Sequence, residues 1–348
     1  MMLRRRASHA SLPVRAGLVI LATASACLAD HPEDQLPQSQ ADPRHGIFVV
    51  DARGGEPKWL ASGTNPRWSL DGRQITFETD RDGNPEIYVM RPDGSRQTNI
   101  THHAAKDRDP AWSPDGRRIA FITGRDGVYE VYVTDLQGRK AVRITHGPTG
   151  VAYDDNCSWL CWSKDPARIV FYRGDDIWVA HLDGSEAVNL TSDLRDDSGF
   201  REHPSPPAWS ADGSKIAFVA IPGNHGCVYT MSPDGSRRRC LTRRLVVDAR
   251  WPKWSPDGRR IAFCWTWGRT ALSVIDADGR HPRELTEAWG QGPHHCWSPD
   301  GEELLYLWKS NLWIINVASG DRRQLTSLGV GTQSPSWSPS GERIAFCH

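Results

Sequence analysis

A repeated Trp-Ser-Pro-Asp-Gly step constrains the fold of this 348-residue chain more than any other feature. The step, or a close variant of it, occurs seven times, with 40 to 50 residues between successive tryptophans. The tryptophans that head the repeats are Trp68, Trp112, Trp162, Trp209, Trp254, Trp297 and Trp337. This spacing matches a four-stranded propeller blade, which takes about 40–45 residues before loop insertions.

The second repeat illustrates how the pattern predicts strands. Trp112 is followed by Ser-Pro-Asp-Gly and then by Arg-Arg-Ile-Ala-Phe121. Proline presets φ in such a turn and glycine adopts the left-handed conformation that closes it. The flanking runs are short, β-branched and aromatic, as strands are. Repeats also carry a second turn that joins another pair of strands, for example Arg91-Pro-Asp-Gly94 in the first repeat. Each repeat therefore predicts four antiparallel strands.

The two ends of the sequence predict how the ring closes. The repeat headed by Trp337 supplies only two strands, and Gly46-Ile-Phe-Val-Val-Asp51 and Pro57-Lys-Trp-Leu-Ala61 match the missing third and fourth. We therefore predict an all-β, seven-bladed propeller over residues 46–348 whose terminal blade is shared by the two ends, with six blades as the alternative. Neighbouring blades must cover each sheet, so we expect the repeat tryptophans to be packing residues.

The first 45 residues read as an export signal and a tether. Arg4, Arg5 and Arg6 precede a short apolar run and an Ala24-Ser-Ala26 cleavage pattern, which predicts a signal peptide over residues 1–29. Cys27 follows directly and resembles the acylated cysteine of bacterial lipoproteins, so lipidation is one reading and ordinary cleavage the other. The polar residues 30–45 predict a flexible linker. The mature protein would then be periplasmic or anchored to the membrane by lipid.

Charge and turn residues set further expectations. The 42 basic residues balance the 42 acidic ones, which argues against a nucleic-acid partner. Basic runs at Arg237–Arg239 and Arg243–Arg244 are expected on a solvated outer surface of blade four, where they could also steer an acidic partner. Cys227 and Cys240 flank a predicted hairpin turn and are the best local candidates for a disulfide. We expect a monomer.

The repeat resembles the WD-like repeats of the TolB family of periplasmic propellers. The resemblance rests on the pattern Trp-Ser-Pro-Asp-Gly, Ile-Ala-Phe, Tyr-Val, Asp-Gly, Leu-Thr and covers residues 46–348. It implies a propeller that binds a protein or peptide in the cell envelope. TolB itself combines an α/β N-terminal domain with six blades, and this sequence departs from it in both respects.

Catalytic motifs are absent from the sequence. There is no Gly-x-Ser-x-Gly nucleophile elbow and no His-Glu-x-x-His zinc motif. The remaining candidates for a site are residues that would ring the channel mouth, just before or at the start of each first strand. They are Asn65, Asp109, Trp159, His203, Arg250, Trp251 and His294. The sequence therefore favours a non-enzymatic binding scaffold with no cofactor predicted.

An enzyme is the second hypothesis. Oligogalacturonate lyases are similar seven-bladed propellers with a histidine-bound metal, and that resemblance implies a carbohydrate-active enzyme. The weak candidates for ligands of a divalent metal are His203, His294 and His295, since imidazole suits transition metals. The competing reading is that these histidines are solvated or bond to the backbone.

Overall fold

The computed structural model describes the chain from Gly46 onward, with short gaps. The described residues are 46–147, 150–151, 160–174, 176–194, 205–221, 225–245, 247–266, 269–287, 295–328 and 333–348. The predicted signal peptide, the linker and Cys27 lie outside them. Three predicted site residues, Trp159, His203 and His294, lie outside them as well.

The described part of the chain consists of four-stranded antiparallel blades. The blade that contains the first two strands also contains the last two, and we number it blade seven. This blade seven contains β1 (Ile47–Asp51), β2 (Lys58–Ala61), β27 (Gln333–Trp337) and β28 (Arg343–Cys347). Blade one contains β3 (Thr64–Trp68), β4 (Ile75–Thr79), β5 (Glu86–Met90) and β6 (Thr98–Asn99). Blade two contains β7 (Asp107–Trp112), β8 (Arg118–Thr123), β9 (Glu130–Asp135) and β10 (Val142–Arg143). Blade three contains β11 (Leu160–Trp162), β12 (Arg168–Arg173), β13 (Asp176–His181) and β14 (Val188–Asn189).

The remaining three blades follow the same order of strands. Blade four contains β15 (Ala208–Trp209), β16 (Ile216–Ala220), β17 (Cys227–Met231) and β18 (Arg239–Cys240). Blade five contains β19 (Asp248–Trp254), β20 (Arg260–Thr266), β21 (Thr270–Asp276) and β22 (Arg283–Glu287). Blade six contains β23 (His295–Trp297), β24 (Glu303–Trp308), β25 (Asn311–Asn316) and β26 (Arg322–Gln324). One 3-10 turn spans Ser192–Leu194, and no helix in the described ranges is long and apolar enough to cross a membrane.

The shared blade is the predicted closure of the ring. Its strand order is β2-β1-β28-β27, and β1 pairs antiparallel with β28 so that Phe48 lies opposite Phe346. The rings of these two residues stack with their centroids 5.7 Å apart. The prediction of seven four-stranded blades is confirmed, and the six-bladed alternative is wrong.

The first strands of successive blades contact one another in order around the ring, and β27 contacts β3 to complete it. These strands therefore surround the central axis, and the fourth strands lie at the periphery. The hydrophobic core lies between the blades. For example, Ile87 and Val89 of blade one pack with Trp112, Ile119 and Phe121 of blade two. A single sheet would leave these faces exposed, which is why the ring must close.

The repeat tryptophans lie between blades and fasten each blade to the one before it. The side chains of six of them are buried and that of Trp337 is half-buried, and four indole nitrogens donate to the carbonyl of the residue before the preceding blade's repeat tryptophan. The bonds run from Trp112 to Arg67 (3.1 Å), from Trp162 to Ala111 (3.0 Å), from Trp254 to Ala208 (3.1 Å) and from Trp297 to Lys253 (3.0 Å). Each such tryptophan thus satisfies a polar group in the channel wall while it fills the space between two sheets.

Candidate functional site

Four residues at the predicted channel mouth, where the first strands begin, share one backbone conformation. Asn65, Asp109, Trp251 and Ser334 have φ values of 55°, 57°, 54° and 49°. Each lies where the pairing of the first and second strands of its blade shifts register. Such bulges turn a side chain away from its regular direction and are common beside functional sites. The left-handed conformation costs these residues about 1–2 kcal/mol each.

Asn65 and Asp109 are joined through one buried carboxylate. The Asn65 amide nitrogen donates to Glu78 Oε1 at 2.8 Å, and the Asp109 backbone N–H donates to the same oxygen at 2.7 Å. Burial raises the pKa of Glu78, against the opposing effect of these two hydrogen bonds and of Arg108 and Arg67. Glu78 therefore ties blade one to blade two at the mouth.

Arg250 and Trp251 are held by contacts within the protein. The Arg250 guanidinium bonds to Asp248 Oδ2 at 3.0 Å through Nε and at 2.7 Å through its terminal nitrogen. Gly226 N–H donates to the other oxygen of Asp248 at 2.7 Å. Trp251 is buried among the apolar residues between blades five and six, and its backbone N–H donates to Ser205 Oγ at 3.2 Å. The Trp251 ring therefore packs in the core between these two blades.

A buried ion pair crosses from blade two to blade three near the same end of the channel. Arg173 donates to Glu130 Oε2, while Arg143 donates to Glu130 Oε1 at 3.0 Å. Arg173 also donates to the carbonyl of His146 at 3.0 Å. Burial lowers the pKa of Arg173, and the negative charge of Glu130 opposes that shift. The pair therefore joins blade two to blade three at this end of the channel.

His295 is the one predicted metal ligand that the structure describes. It is buried, and its Nδ1 lies 3.6 Å from the thiol of Cys264, whose pKa burial raises to about 12. A neutral thiol is a poor metal ligand, because the thiolate is the form that binds. Among the described residues, no group of three His, Cys, Asp or Glu side chains is placed to hold a metal ion. The hypothesis of a metal site thus depends on His203 and His294.

Cys227 and Cys240 lie on neighbouring strands of blade four and are free thiols in the structure. Tyr229 pairs with Cys240 across β17 and β18, which places Cys227 diagonally opposite Cys240 on the same face of the sheet. The structure therefore places the two cysteines diagonally on neighbouring strands, and the disulfide between them stays a prediction.

A cavity of about 500 Å³ lies along the axial channel, towards the end where the Trp-Ser-Pro-Asp-Gly turns project. We call it the axial cavity. It is bounded by the first strands of blades one to four, and its lining includes Arg67, Leu70, Trp112, Cys161 and Lys164. Its volume is within the range of small-ligand sites, about 300–1,000 Å³.

The axial cavity is apolar with two cationic groups and no acidic residue among its described lining. Arg67 donates to the carbonyl of Pro66 at 3.2 Å and forms no ion pair within the described ranges. Lys164 is exposed, and Leu70, elsewhere in the lining, is 59% exposed. A lining with an exposed leucine, two cations and no acidic residue is suited to a ligand that carries both an apolar group and a carboxylate.

The axial cavity was not among the predicted sites, although the repeats that line it differ from the others in sequence. Repeats two, five, six and seven have proline two residues after the tryptophan, whereas Leu70, Lys164 and Ala211 replace it in the others. All three of these exceptions line the axial cavity. The predicted mouth residues that the structure describes, Asn65, Asp109, Arg250 and Trp251, lie nearer the opposite end of the first strands and are held by contacts within the protein.

Comparison with known proteins places the chain among propellers of one kind. Residues 47–242 and 199–348 match the family described as PD40, TolB beta propeller domain. A protein named Protein TolB homolog from Chlorobium chlorochromatii is 30% identical over 145 residues, which cover 39% of this chain and 32% of that protein. The chain spans less than a third of the length of the curated relatives that it matches.

Two further similarities involve proteins with different names. Tricorn protease homolog 1 of Streptomyces coelicolor is 27% identical over 276 residues, covering 73% of this chain and 24% of that protein. A solved oligogalacturonate lyase in complex with manganese superposes with a TM-score of 0.62 at 14% identity, covering 88% of this chain and 90% of that one. At this identity the likeness to the lyase concerns the fold alone.

Proposed function

Because the chain belongs to the TolB β-propeller family, we propose that it is an exported, non-enzymatic binding scaffold that holds a protein or peptide partner in the cell envelope. The observation that carries the proposal is the axial cavity, with Leu70 exposed at its rim and Arg67 and Lys164 uncompensated by any acidic lining residue among those described.

The axial cavity suits a segment of a partner better than a large flat interface. Its indole, proline and leucine surfaces would desolvate an apolar side chain, and burying such a side chain contributes about 1.5–3 kcal/mol. Arg67 and Lys164 would pair with a carboxylate of the same segment, which adds orientation and speeds association. The partner chemistry that we propose is therefore an acidic segment with an apolar anchor.

The proposal is tested by a double variant at the rim, Leu70→Asp with Lys164→Glu, in the full chain. A photo-crosslinking residue at Ala211 in the wild type first identifies the partner in cells of the source organism. We expect the double variant to weaken binding of that partner by about 10-fold or more, because it replaces attraction with repulsion. Binding is measured by titration of the purified partner.

A matched control makes the same chemical changes away from the axial cavity. Val188→Asp with Lys215→Glu alters an equally exposed apolar residue and an exposed lysine on blades three and four. We expect this control to bind as the wild type does. If the control loses the partner and the rim variant keeps it, the partner does not use the axial cavity.

Export is the second part of the proposal and rests on the signal-like residues 1–29. Cell fractionation should find the protein in the envelope, with a mature N-terminus at or near Cys27. Labelling with a fatty acid that is lost in Cys27→Ala would indicate a lipid anchor, and unlabelled periplasmic protein would indicate ordinary cleavage. A full-length chain in the cytoplasm that retains Met1 would contradict export.

A further inference from the structure

Two cysteines at the outer edge of blade four form a second site, separate from the axial cavity. Cys227 lies in β17 and is buried, whereas Cys240 lies in the outermost strand, β18, and is partly exposed. Among the described cysteines, Cys264 is by contrast a buried thiol whose pKa burial raises to about 12. The pair thus combines one accessible and one protected thiol.

The surroundings of the Cys240 sulfur favour the thiolate. The Cys227 thiol, the Tyr229 hydroxyl and the backbone N–H groups of Thr242 and Arg243 all act to lower the pKa of Cys240, and burial opposes them. The pKa of Cys240 lies well below its ordinary value of 9.0, chiefly because Cys227 donates to it, while the pKa of Cys227 is raised for the same reason. Asp248 also raises the pKa of Cys227.

The charges around Cys240 point to an anionic reactant. Arg239 precedes it in the strand, and Arg243 follows it three residues later. Arg237, Arg239, Arg243 and Arg244 are exposed, and none of them forms an ion pair in the part of the chain that the structure describes. Such a cluster attracts an anionic molecule to the thiolate.

We propose that Cys227 and Cys240 are a thiol–disulfide exchange site, in which Cys240 attacks a low-molecular-weight disulfide that carries carboxylates and Cys227 resolves the product. This assignment is independent of the proposed binding function. It also assigns different roles to the two cysteines, which a simple structural disulfide would not have.

The exchange proceeds in two balanced steps. The Cys240 thiolate attacks one sulfur of the small disulfide, a new sulfur–sulfur bond forms, and the first small thiolate leaves. Cys227 then gives its proton to solvent and attacks the Cys240 sulfur, which forms the Cys227–Cys240 bond and releases the second thiolate. The two cysteines lose two electrons in total, and the small disulfide gains them.

The strand geometry favours a bond that is readily reduced again. Diagonal residues on neighbouring strands are about 7–8 Å apart, whereas an unstrained disulfide prefers closer backbone positions. Only the short edge strand β18 would have to move, and it has no further strand outside it in blade four. Strained and accessible disulfides are typically the labile ones.

The test follows each cysteine of the reduced full chain by peptide mass spectrometry after exposure to glutathione disulfide. In the wild type we expect a linked Cys227–Cys240 peptide that reduced glutathione reopens. In Cys227→Ser the mixed disulfide should remain on Cys240, and in Cys240→Ser neither position should react at a comparable rate. Cystamine, a cationic disulfide, should react with Cys240 about 10-fold more slowly than glutathione disulfide, because the arginines repel it.

Because a cysteine variant could misfold, a further measurement uses the wild type alone. Differential alkylation should show Cys240 reacting with a pH midpoint below the ordinary cysteine pKa of 9.0, while the buried Cys264 stays unreactive. The proposal is overturned if Cys227 forms the mixed disulfide as fast as Cys240, if neither forms one, or if a Cys227–Cys240 bond resists reduced glutathione.

Discussion

The guanidinium of Arg343 lies 5.1 Å from the centroid of the Trp68 ring, and this contact joins the last blade to the first. The same pair recurs between other blades. Arg118 stacks on Trp162 at 5.5 Å, Arg168 on Trp209 at 5.2 Å and Arg260 on Trp297 at 5.3 Å. In every case the arginine comes six residues after its own repeat tryptophan and covers the tryptophan of the next blade. The ring therefore closes through the same arginine–tryptophan contact that joins other neighbouring blades.

The first prediction concerns this contact. Arg343→Gln should lower the free energy of unfolding by about 0.5–1 kcal/mol, the usual contribution of a partly exposed cation–π pair. Arg118→Gln should cost a similar amount, since it removes the same contact between blades two and three. The measurement is urea denaturation followed by tryptophan fluorescence.

The matched control is Lys215→Gln, at the equivalent position of blade four. An exposed surface change of this kind usually costs less than about 0.5 kcal/mol. A much larger loss for Arg343→Gln than for Arg118→Gln would mean that closure depends on this residue in a way that other blade contacts do not.

The blade count and the closure were predictable because each depends on local turn chemistry. Ser-Pro-Asp-Gly, or a variant of it, follows each repeat tryptophan and specifies a hairpin. The two strands headed by Trp337 required the segment around Phe48 to complete their sheet. The stack of Arg343 on Trp68 was also within reach, because an arginine recurs at the same position of four repeats. This contact was not predicted, because only the apolar residues of the repeat were considered as packing between blades.

The candidate site was predicted less well because it depends on register and burial. The bulges that give Asn65 and Asp109 positive φ arise from the pairing of two strands, which no single-residue pattern reports. Trp251 was predicted to ring the channel mouth, but its ring packs in the core between blades five and six. The axial cavity forms where three repeats lack proline, so its position follows only once the blades are arranged in a ring.

The second prediction concerns the buried ion pair of Glu130 and Arg173. Glu130→Gln leaves the buried guanidinium of Arg173 without its negative partner, which should cost about 3–5 kcal/mol of unfolding free energy. Glu284→Gln breaks the exposed pair with Arg269 instead, and such surface pairs contribute about 0–1 kcal/mol. Chemical denaturation of both variants compares the two. Equal effects would mean that water reaches the Glu130 pair.

The third prediction is a pH dependence that arises from Glu78. Burial holds the pKa of this carboxyl above its ordinary value of 4.5, so the folded protein retains the proton more tightly than the unfolded chain. The stabilisation is therefore fully present below pH 4.5 and declines as pH rises through the folded pKa. Glu78→Gln cannot ionise, yet its amide oxygen can still accept from Asn65 and Asp109.

The stability of Glu78→Gln relative to the wild type should therefore increase between about pH 4 and pH 7. Thermal unfolding across that range measures the difference, and Glu284→Gln, at an exposed site, should keep the wild-type profile. A Glu78→Gln curve parallel to the wild type would mean that Glu78 titrates normally in the folded protein.

The fourth prediction separates the binding scaffold from a metal-dependent enzyme. If the scaffold proposal is right, full-length protein purified without chelators should contain well under one manganese or zinc ion per chain, and dialysis against either metal should not raise its melting temperature. A specific site would raise it, because a metal that binds only the folded state stabilises that state. Elemental analysis and thermal unfolding give the two measurements.

The variant that decides this prediction is His203→Ala with His294→Ala, since the third candidate, His295, faces Cys264 in the core. His102→Ala with His103→Ala removes two loop histidines of blade one and serves as the control. Stoichiometric metal in the wild type that is lost in the first variant and kept in the second would favour the lyase-like enzyme. The functional site would then lie at the channel mouth and not in the axial cavity.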